Sequence, residues 1–503
     1  MKLTQYFSKL FVLIVCIFSS NISVFSIDNR SEAKSLYVYP ALPKNQYMSY
    51  RYQVAVRESG SDKFQSSYVY KEINNDSRWQ TNWPFDEVYM SAENHFTTFS
   101  FSKNVEVKIT LPVRTKISNV VVRPLSKNLK ATISGNTITI PMDKPANIYV
   151  EIDGEERYPL FIFANPLEIN APAPDAKDTN IIYFGPGIHD VGYEKGPMQS
   201  IPVGKTVYLA GGAFVKGRFK TTGVAGTTTF RGRGILSGIN IPGYSTYRGM
   251  IDANIGSVNV EGITILDAPQ GYQGIIAYGN GSVVDNVKML SWAMESDSGV
   301  LGANSILQNC LFKICDDALK PYREGMLLKD NVVWLQMCGS AILLGWNSIE
   351  QGINPVISGL DIIACDRGVK TKPDGTHQAI INLKNSNGAT YKNIVIENVR
   401  VEKKPHNLIG IDIKQTDPNW VKNPKFNMGL GSIDGLTFRN ITVSDMPSIL
   451  SFFNGNGEVT PTSRGDIKNV TFENVKVAGT LITKDNADKY MTRAGNTSNF
   501  VFK

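Results

Sequence analysis

Alternating apolar and polar positions fill the first third of the chain and predict short β-strands. Val105–Thr110 and Ala131–Ile140 alternate with a period of two, and residues 27–173 contain no long stretch with the 3.6-residue period of an amphipathic helix. Gly135-Asn136 divides the second stretch into two halves, which is a strong signal for a β-hairpin with a two-residue turn. We therefore predict a small β-sandwich over residues 27–173.

One short unit, repeated along the chain, begins after the Pro-containing segment 172–178. The unit is an apolar residue, a spacer, Asn or Gly, and then apolar-x-apolar. Its seven clear copies are Val260–Ile265, Val284–Met289, Leu307–Phe312, Ile357–Ile362, Tyr391–Ile396, Ile433–Phe438 and Ile467–Phe472. A looser copy centres on Asn331.

The spacing of these units predicts a parallel β-helix. Successive Asn or Gly positions are 22–24 residues apart up to Asn331 and 28–42 residues apart beyond it. Repeats of about 20–50 residues indicate a solenoid, and Asn and Gly tolerate the left-handed backbone of a sharp corner. Leucine-rich repeats are the alternative, but their Leu-x-x-Leu-x-Leu signature is missing. The predicted fold is all-β, with a right-handed parallel β-helix over residues 174–503.

The first 26 residues have the features of a secretory signal peptide. Lys2 and Lys9 precede the apolar run Leu10–Phe18, and small residues near Ser26 provide a cleavage site. The apolar run is too short to span a bilayer, and no later stretch reaches 18 apolar residues. We predict a secreted or periplasmic protein that has no membrane association once the signal is removed.

Composition excludes several classes of partner. The net charge of +7 becomes +5 when the two leader lysines are removed, and Lys403-Lys404 is the one basic doublet, so we expect no nucleic-acid binding. The cysteines after the leader lack C-x-x-C spacing and a nearby His, which argues against zinc, while disulfides and buried thiols both stay open. The glycine pairs lack the spacing of a nucleotide-binding loop. We expect no metal or other cofactor, and a monomer.

Three aspartates carry the candidate chemistry. Asp297 lies in Glu295-Ser-Asp-Ser-Gly299, and Asp316-Asp317 begins 19 positions after it. The repeat places them on neighbouring coils, about 4.7–4.9 Å apart where directly stacked, and the apolar flanks of the pair favour a position inside a repeat strand. Carboxyl groups this close raise one another's pKa, so one stays protonated while another is ionised. Glycoside hydrolysis needs that combination of acid and base.

Aromatic and basic residues downstream are candidates for substrate binding. Tyr322 and Trp346 can stack on sugar rings where they face a groove, although a core position suits Trp346 equally well. Lys320 and Lys370 can donate hydrogen bonds to hydroxyl groups or balance the charge of the acids. Two further polar residues complete the candidate set: Asn347 and Arg367.

These motifs resemble glycoside hydrolase family 49, the family of dextranases and isopullulanase. The similarity is carried by Asp297-Ser-Gly299, Asp316–Tyr322, Gly345-Trp346 and Arg367–Lys370, and by the end of the leading sandwich, Leu160–Pro166. The chain departs from the family at Ser298, where Gly usually follows the first acid directly.

The resemblance implies inverting endo-hydrolysis of α-glucan, foremost the α-1,6 linkages of dextran. It implies that Asp316 is the general acid and that Asp297 and Asp317 hold the water as base or bases. The implied partner is thus a polysaccharide.

Three other classes of protein stay open. A polygalacturonase-like hydrolase has related aspartate spacing but usually carries Gly-His-Gly and Arg-x-Lys, where this chain has Cys338-Gly-Ser340 and Arg367-x-x-Lys370. A β-helix polysaccharide lyase would need a divalent metal and a basic catalytic residue. A non-catalytic glycan-binding solenoid would keep the aromatic residues and tolerate loss of the aspartates.

Overall fold

A computed structural model describes most of the chain after the leader. The described residues are 34–43, 45–73, 93–174, 177–191, 198–223, 226–241, 248–336, 339–366, 379–414, 429–456 and 464–503. The predicted signal peptide lies outside them. Within them, three short 3₁₀ helices occur at Asn45–Tyr47, Leu125–Lys127 and Ala487–Lys489, and no helix is long and apolar enough to cross a membrane. Ser35–Lys503 forms one compact unit.

The first eleven strands build the sandwich. Strands β1 to β11 run, in order, over Leu36–Val38, Gln53–Glu58, Gln65–Ser67, Val69–Ile73, Glu93–Phe101, Val105–Thr110, Val120–Arg123, Thr132–Ser134, Thr137–Met142, Ala146–Ile152 and Glu155–Pro166. One sheet has the order β1-β5-β11-β10-β7 with β4 also on β5, and the other has the order β3-β2-β6-β9-β8. Their inner faces share one apolar core, and Ser134 pairs with Thr137 across the predicted two-residue turn. The β-sandwich prediction is confirmed.

The remaining strands build the solenoid. Strands β12 to β40 run, in order, over Ile181–Phe184, Gly187–Asp190, Met198–Pro202, Thr206–Leu209, Ala213–Lys216, Arg218–Thr222, Thr227–Gly232, Ile235–Ser237, Arg248–Asn254, Ser257–Glu261, Thr264–Leu266, Tyr272–Ala277, Val283–Asp285, Lys288–Met294, Asp297–Leu301, Ile306–Gln308, Leu311–Cys315, Leu327–Leu335, Ile342–Ser348, Val356–Cys365, Ala379–Ser386, Thr390–Val401, Asn407–Asp412, Ser432–Val443, Ser451–Asn454, Ile467–Val477, Thr480–Leu481, Met491–Ala494 and Thr497–Phe502.

These strands stack as a parallel β-helix, as the repeats predict. A 19-stranded sheet forms two faces of the coils, and the third face consists of two five-stranded sheets, β14-β17-β20-β23-β26 and β30-β32-β34-β36-β39. Pairing in the described coils is parallel except between β37 and the short β38. Apolar side chains from successive coils fill one continuous interior core.

Left-handed residues stack at one corner of the coils. In register, this first corner column contains Gly232, Gly262, Asn286, Asn309, Asp330, Gly359, Asn398, Asn440 and Asn474, and φ is positive at every one. The looser copy is therefore centred on Asp330 and not on Asn331. Asn331 uses its side chain instead, since its Oδ1 accepts a hydrogen bond from the Cys310 backbone N–H at 3.0 Å.

A second corner column runs through the later coils and corrects the predicted alignment. Its members are Asn393, Gly435, Asn469 and Asn499, all with positive φ. The repeat copies in the sequence align Gly359 with Asn393. In the structure Gly359 stacks on Asn398 instead. The cause is that β33 contains both residues, and each is followed by apolar-x-apolar, so the pattern alone does not distinguish them.

The sandwich packs against the long sheet of the β-helix, and we call this contact the seam. Aromatic residues of β5, β10 and β11 share an apolar cluster with coil residues such as Phe214, Leu290 and Trp334. Lys288 is buried in the seam and donates from Nζ to Asn165 Oδ1 at 2.7 Å and to two backbone oxygens at 2.8 and 2.9 Å. Apolar packing and buried hydrogen bonds thus join the two parts within the compact unit Ser35–Lys503. The boundary at residues 173/174 stays a prediction.

Candidate active site

The acids lie where the third face of the β-helix is interrupted. β26 is the last strand of one five-stranded sheet and β30 the first strand of the next, and the described coil between them contributes only an isolated bridge from Leu319 to Ile342. Pro321 has no N–H to donate, which disfavours a strand there. β28 ends at Cys315, so Asp316-Asp317 lies directly after a strand. The expectation that the pair lies inside a strand is wrong.

The three aspartates meet across neighbouring coils. Asp297 begins β26, and Asp317 lies on the next coil, where its carbonyl oxygen accepts from Ser298 N at 3.1 Å. The backbone N–H of Asp317 donates in turn to Asp297 Oδ1 at 3.2 Å. Carboxylate oxygens of Asp297, Asp316 and Asp317 all lie within 4.8 Å of one another. The coil spacing thus brings together the groups that the sequence places 19–20 positions apart.

Asp297 is buried and held by a cation. Its side chain Oδ2 accepts from Lys320 Nζ at 2.7 Å and from Gln273 Nε2 at 3.3 Å, and only 3% of the residue is exposed. Burial lowers the pKa of Lys320, but the negative charges of Asp297 and Asp317 outweigh burial, so the pKa of Lys320 is raised above its ordinary value. Lys320 is therefore a buried ammonium ion paired with Asp297.

Asp316 has the properties of an acid that keeps its proton. Burial first, and then the negative charges of Asp297 and Asp317, raise the pKa of Asp316 well above its ordinary value. Gly339 of the following coil lies against its backbone, because a Cβ at position 339 would lie 2.1 Å from the Asp316 carbonyl carbon. Asp316 is thus the group of the three that is suited to donate a proton.

Asp317 is fixed by residues of the next two coils. Its Oδ1 accepts from the backbone N–H of Ser340 at 2.8 Å, and Asn382 Nδ2 donates to Ser340 Oγ at 3.2 Å. Ser340 and Asn382 are buried, whereas Asp317 is partly exposed. Sequence reasoning gave no role to Ser340, Asn382 or Gln273. A usable signal for two of them is the coil length, since Gln273 and Ser340 lie 24 residues before Asp297 and 23 residues after Asp317.

The structure describes both predicted aromatic residues, Tyr322 and Trp346. Tyr322 is partly exposed, and burial, followed by the charges of Asp317 and Asp297, raises its pKa well above the ordinary value. Trp346 lies in β30 and is also partly exposed, with Lys384 Nζ 5.0 Å from its ring centroid. A Cβ at Gly345 would lie 1.9 Å from the Tyr391 hydroxyl oxygen, so only glycine fits beside Trp346.

Several predicted residues cannot be placed by their side chains. Asn347 lies in β30, but its side chain is outside the described part of the structure. Cys338, Arg367 and Lys370 lie outside the described residues altogether. The binding roles of Asn347, Arg367 and Lys370 stay predictions.

The electrostatics of the cluster favour acid and base chemistry. Three carboxylates are also the oxygen ligands that a hard divalent cation prefers, but the Lys320 ammonium already supplies a positive charge 2.7 Å from Asp297 Oδ2. A carboxyl group whose pKa is raised, next to two further carboxyl groups, can provide the acid and the base that hydrolysis of a glycosidic bond requires. The parallel β-helix and this site together define a glycoside hydrolase.

Comparison with known proteins places the chain more closely. No family model matches it. An isopullulanase from Aspergillus niger is 24% identical over 509 residues, which cover 87% of each chain. A dextranase from Arthrobacter globiformis is 24% identical over 510 residues, which cover 90% of this chain and 73% of that protein. The structure of Dex49A from Penicillium minioluteum matches with a TM-score of 0.68 at 18% identity, covering 94% of this chain and 97% of Dex49A.

These relatives confirm the resemblance that the motifs indicate. The chain is similar over most of its length to proteins named isopullulanase and dextranase, the two kinds of enzyme in the family that the motifs resemble. The likeness to Dex49A confirms the fold.

Proposed function

We propose that the protein is an exported, endo-acting hydrolase of α-glucan that cleaves α-1,6 linkages of dextran. The observation that carries the proposal is the meeting of Asp316 with Asp297 and Asp317 on neighbouring coils, where burial and the charges of the other two raise the pKa of Asp316. The dextranase and isopullulanase names of the relatives support α-glucan as the substrate class. The leader with Lys2, Lys9 and an apolar run supports export.

In the proposed reaction Asp316 protonates the glycosidic oxygen while a carboxylate of the cluster takes a proton from the attacking water. Trp346 and Tyr322 provide aromatic surfaces for sugar rings, and Lys384 and the predicted Asn347, Arg367 and Lys370 provide hydrogen-bond donors. The pKa of Asp316 is raised, so activity is lost when rising pH ionises Asp316. Activity is lost on the acid side when the base becomes protonated, and the pH profile is bell-shaped.

We propose inversion at the anomeric carbon, which is the stereochemistry implied by the family resemblance. Carboxyl groups about 5–5.5 Å apart are usual in retaining enzymes, and about 6.5–9.5 Å apart in inverting ones. The closest oxygens here, within 4.8 Å, fall at the retaining end of that rule. Proton NMR of fresh digests separates the two: the β-anomer appears first from an α-linkage if the reaction inverts, and the α-anomer appears first if it retains.

The proposed function is tested by reducing-end release from dextran, pullulan and polygalacturonate by residues 27–503 without added metal. We expect release from dextran and a loss of about 10²–10⁴-fold in Asp316→Asn, because the proton donor is removed. Asp330→Asn is the matched control, since Asp330 is exposed, lies one coil away and has a left-handed backbone that Asn tolerates. Its activity should equal that of the wild type.

Other outcomes assign the protein to one of the alternatives. Release from polygalacturonate alone would replace α-glucan with a uronate substrate. Metal-dependent products that absorb in the ultraviolet would identify a lyase. Full activity in a folded Asp316→Asn protein would overturn the proposed acid.

A further inference from the structure

We infer that Asp297 and Asp317 have different roles: Asp317 is the general base that activates water, and Asp297 is a positioning residue that acts through its neighbours. This inference rests on the proposed hydrolysis and divides between two residues a function that the family resemblance leaves shared. It is carried by the hydrogen bonds, exposure and neighbours of the two carboxyl groups.

Asp297 is poorly placed to take a proton from water. A carboxylate has about four acceptor positions on its two oxygens, and Asp297 accepts three hydrogen bonds, from Lys320, Gln273 and the Asp317 backbone. The residue is 3% exposed, and its cation Lys320 is 7% exposed. A general base must come within about 2.6–3.2 Å of the proton it removes or reach it through one water, and these contacts enclose Asp297 within the protein.

Asp317 has the exposure and the fixed orientation that a base needs. It is partly exposed and lies in the break of the third face, beside the proton donor Asp316. Its backbone carbonyl accepts from Ser298 N of the preceding coil, and its side-chain Oδ1 accepts from Ser340 N of the following coil at 2.8 Å. A peptide N–H orients the carboxyl group, and neutral Asn382 in turn fixes Ser340.

Asp297 acts instead on the two groups that react. Its Oδ1 holds the backbone N–H of Asp317, so it fixes the position of the base. Among the charges around Asp316, that of Asp297 contributes most to its raised pKa, after burial and ahead of Asp317. Lys320 forms an ion pair with Asp297, and the negative charge of Asp297 stays close to Asp316.

Attack by water and departure of the leaving sugar are coupled in the proposed step. Asp317 takes a proton from water while the water oxygen bonds to the anomeric carbon. The bond between that carbon and the glycosidic oxygen breaks, and the leaving oxygen takes the electron pair and the proton of Asp316. Proton exchange with solvent then returns Asp316 to its acid form and Asp317 to its carboxylate form.

The inference is tested by the pH dependence of kcat/KM for Asp317→Asn and Asp297→Asn, measured on the glycan that the wild-type protein hydrolyses. Asp317→Asn should lose about 10²–10⁴-fold and should no longer show the decline of kcat/KM on the acid side, because that decline reports the base. Asp297→Asn should keep the acid-side decline. Its alkaline-side decline should move to lower pH, because a negative charge next to Asp316 is removed.

A merely structural role for Asp297 would lower kcat/KM at every pH without moving either side of the profile. An acid-side decline that persists in Asp317→Asn, or disappears in Asp297→Asn, overturns the division of roles. A wild-type protein that is inactive on every glycan contradicts the proposed function instead, so the two failures are distinguishable.

Two further measurements distinguish the loss of a catalytic role from misfolding. Asp297→Asn leaves Lys320 buried without its carboxylate, which is strongly destabilising. The double variant Asp297→Asn/Lys320→Gln removes both charges, and melting temperatures show which variant folds.

In the alanine variants, azide can attack the anomeric carbon without a base. Azide should restore at least tenfold activity, with a glycosyl azide product, to Asp317→Ala and not to Asp297→Ala; rescue of Asp297→Ala alone overturns the inference.

Discussion

At the scale of single residues, Gly339 shows how closely the site depends on backbone contact. It has φ +76°, and any Cβ there would overlap the Asp316 carbonyl group. This position requires both a left-handed backbone and the absence of a side chain, and only glycine meets both requirements. The position of the proton donor is fixed by the main chain of the next coil.

We predict that Gly339→Ala lowers kcat by about 10–10²-fold, because displacement of a reacting group by about 1 Å has effects of that size. Gly479→Ala is the matched control: Gly479 has φ +77° and no atom within 4 Å of the point that a Cβ would occupy, so it has the same backbone strain without the overlap. Steady-state kinetics and melting curves of both variants separate the effects. Equal activities would show that Asp316 is not displaced.

At the scale of the elements, the corner columns hold successive coils in register. Asn440 has φ +52°; its Nδ2 donates to Asn398 Oδ1 at 3.2 Å, and its Oδ1 accepts from Asn474 Nδ2 at 2.9 Å. Three coils are thereby joined by side-chain amides as well as by backbone hydrogen bonds. Asparagine therefore both tolerates the left-handed backbone and supplies the side-chain hydrogen bonds between coils.

Asn440→Ala should lower the free energy of unfolding by about 1–3 kcal/mol, from left-handed strain of about 1–2 kcal/mol and the loss of two exposed hydrogen bonds. Asn440→Gly loses the hydrogen bonds but keeps an unstrained backbone, so it should cost less. Urea unfolding of both variants checks the order. An Ala variant as stable as the Gly variant would contradict the role assigned to the left-handed corner.

The same elements show what the sequence can predict. The left-handed corners follow from Asn and Gly at regular intervals, and the coil length of 22–24 residues places Asp297 beside Asp316-Asp317. Beyond Asn331 the coils are longer, and β33 holds two equivalent Asn positions, so register depends on packing that the pattern does not encode. Asn382 was missed for this reason, because its contact with Ser340 depends on that register.

At the scale of the whole molecule, the seam contains buried acids as well as apolar side chains. Glu72 of the sandwich accepts from Asn94 Nδ2 at 2.6 Å and from the Asp267 backbone N–H, on the β-helix side, at 3.3 Å. Burial, and then the negative charge of Asp267, raises the pKa of Glu72 to about 8. The seam is thus most stable when Glu72 is protonated.

Glu72 stabilises the folded protein most at low pH. The folded-state pKa of Glu72 is above its ordinary value, so its contribution to stability is lost as pH rises through about 8. We predict that Glu72→Gln becomes more stable relative to the wild type as pH rises from 6 to 8, because the variant has no carboxyl group to lose its proton in the seam. Buried Lys288 and Lys313, whose pKa values burial lowers to about 7 and 8, have the opposite sign but are present in both proteins, so the prediction concerns the difference between the two free energies of unfolding.

Denaturant unfolding at several pH values measures the difference between the two proteins. Identical slopes against pH would show that Glu72 keeps no proton in the seam.

The interruption of the third face also bears on how such a chain can change over generations. Each described coil bonds through its backbone mainly to the coils before and after it, and the reacting groups occupy only a few consecutive coils. In a solenoid, stability is built from neighbour-to-neighbour contacts. During evolution, coils far from the site can therefore be duplicated or lost. Such changes lengthen or shorten the surface that contacts a polymer and leave the reacting groups unchanged.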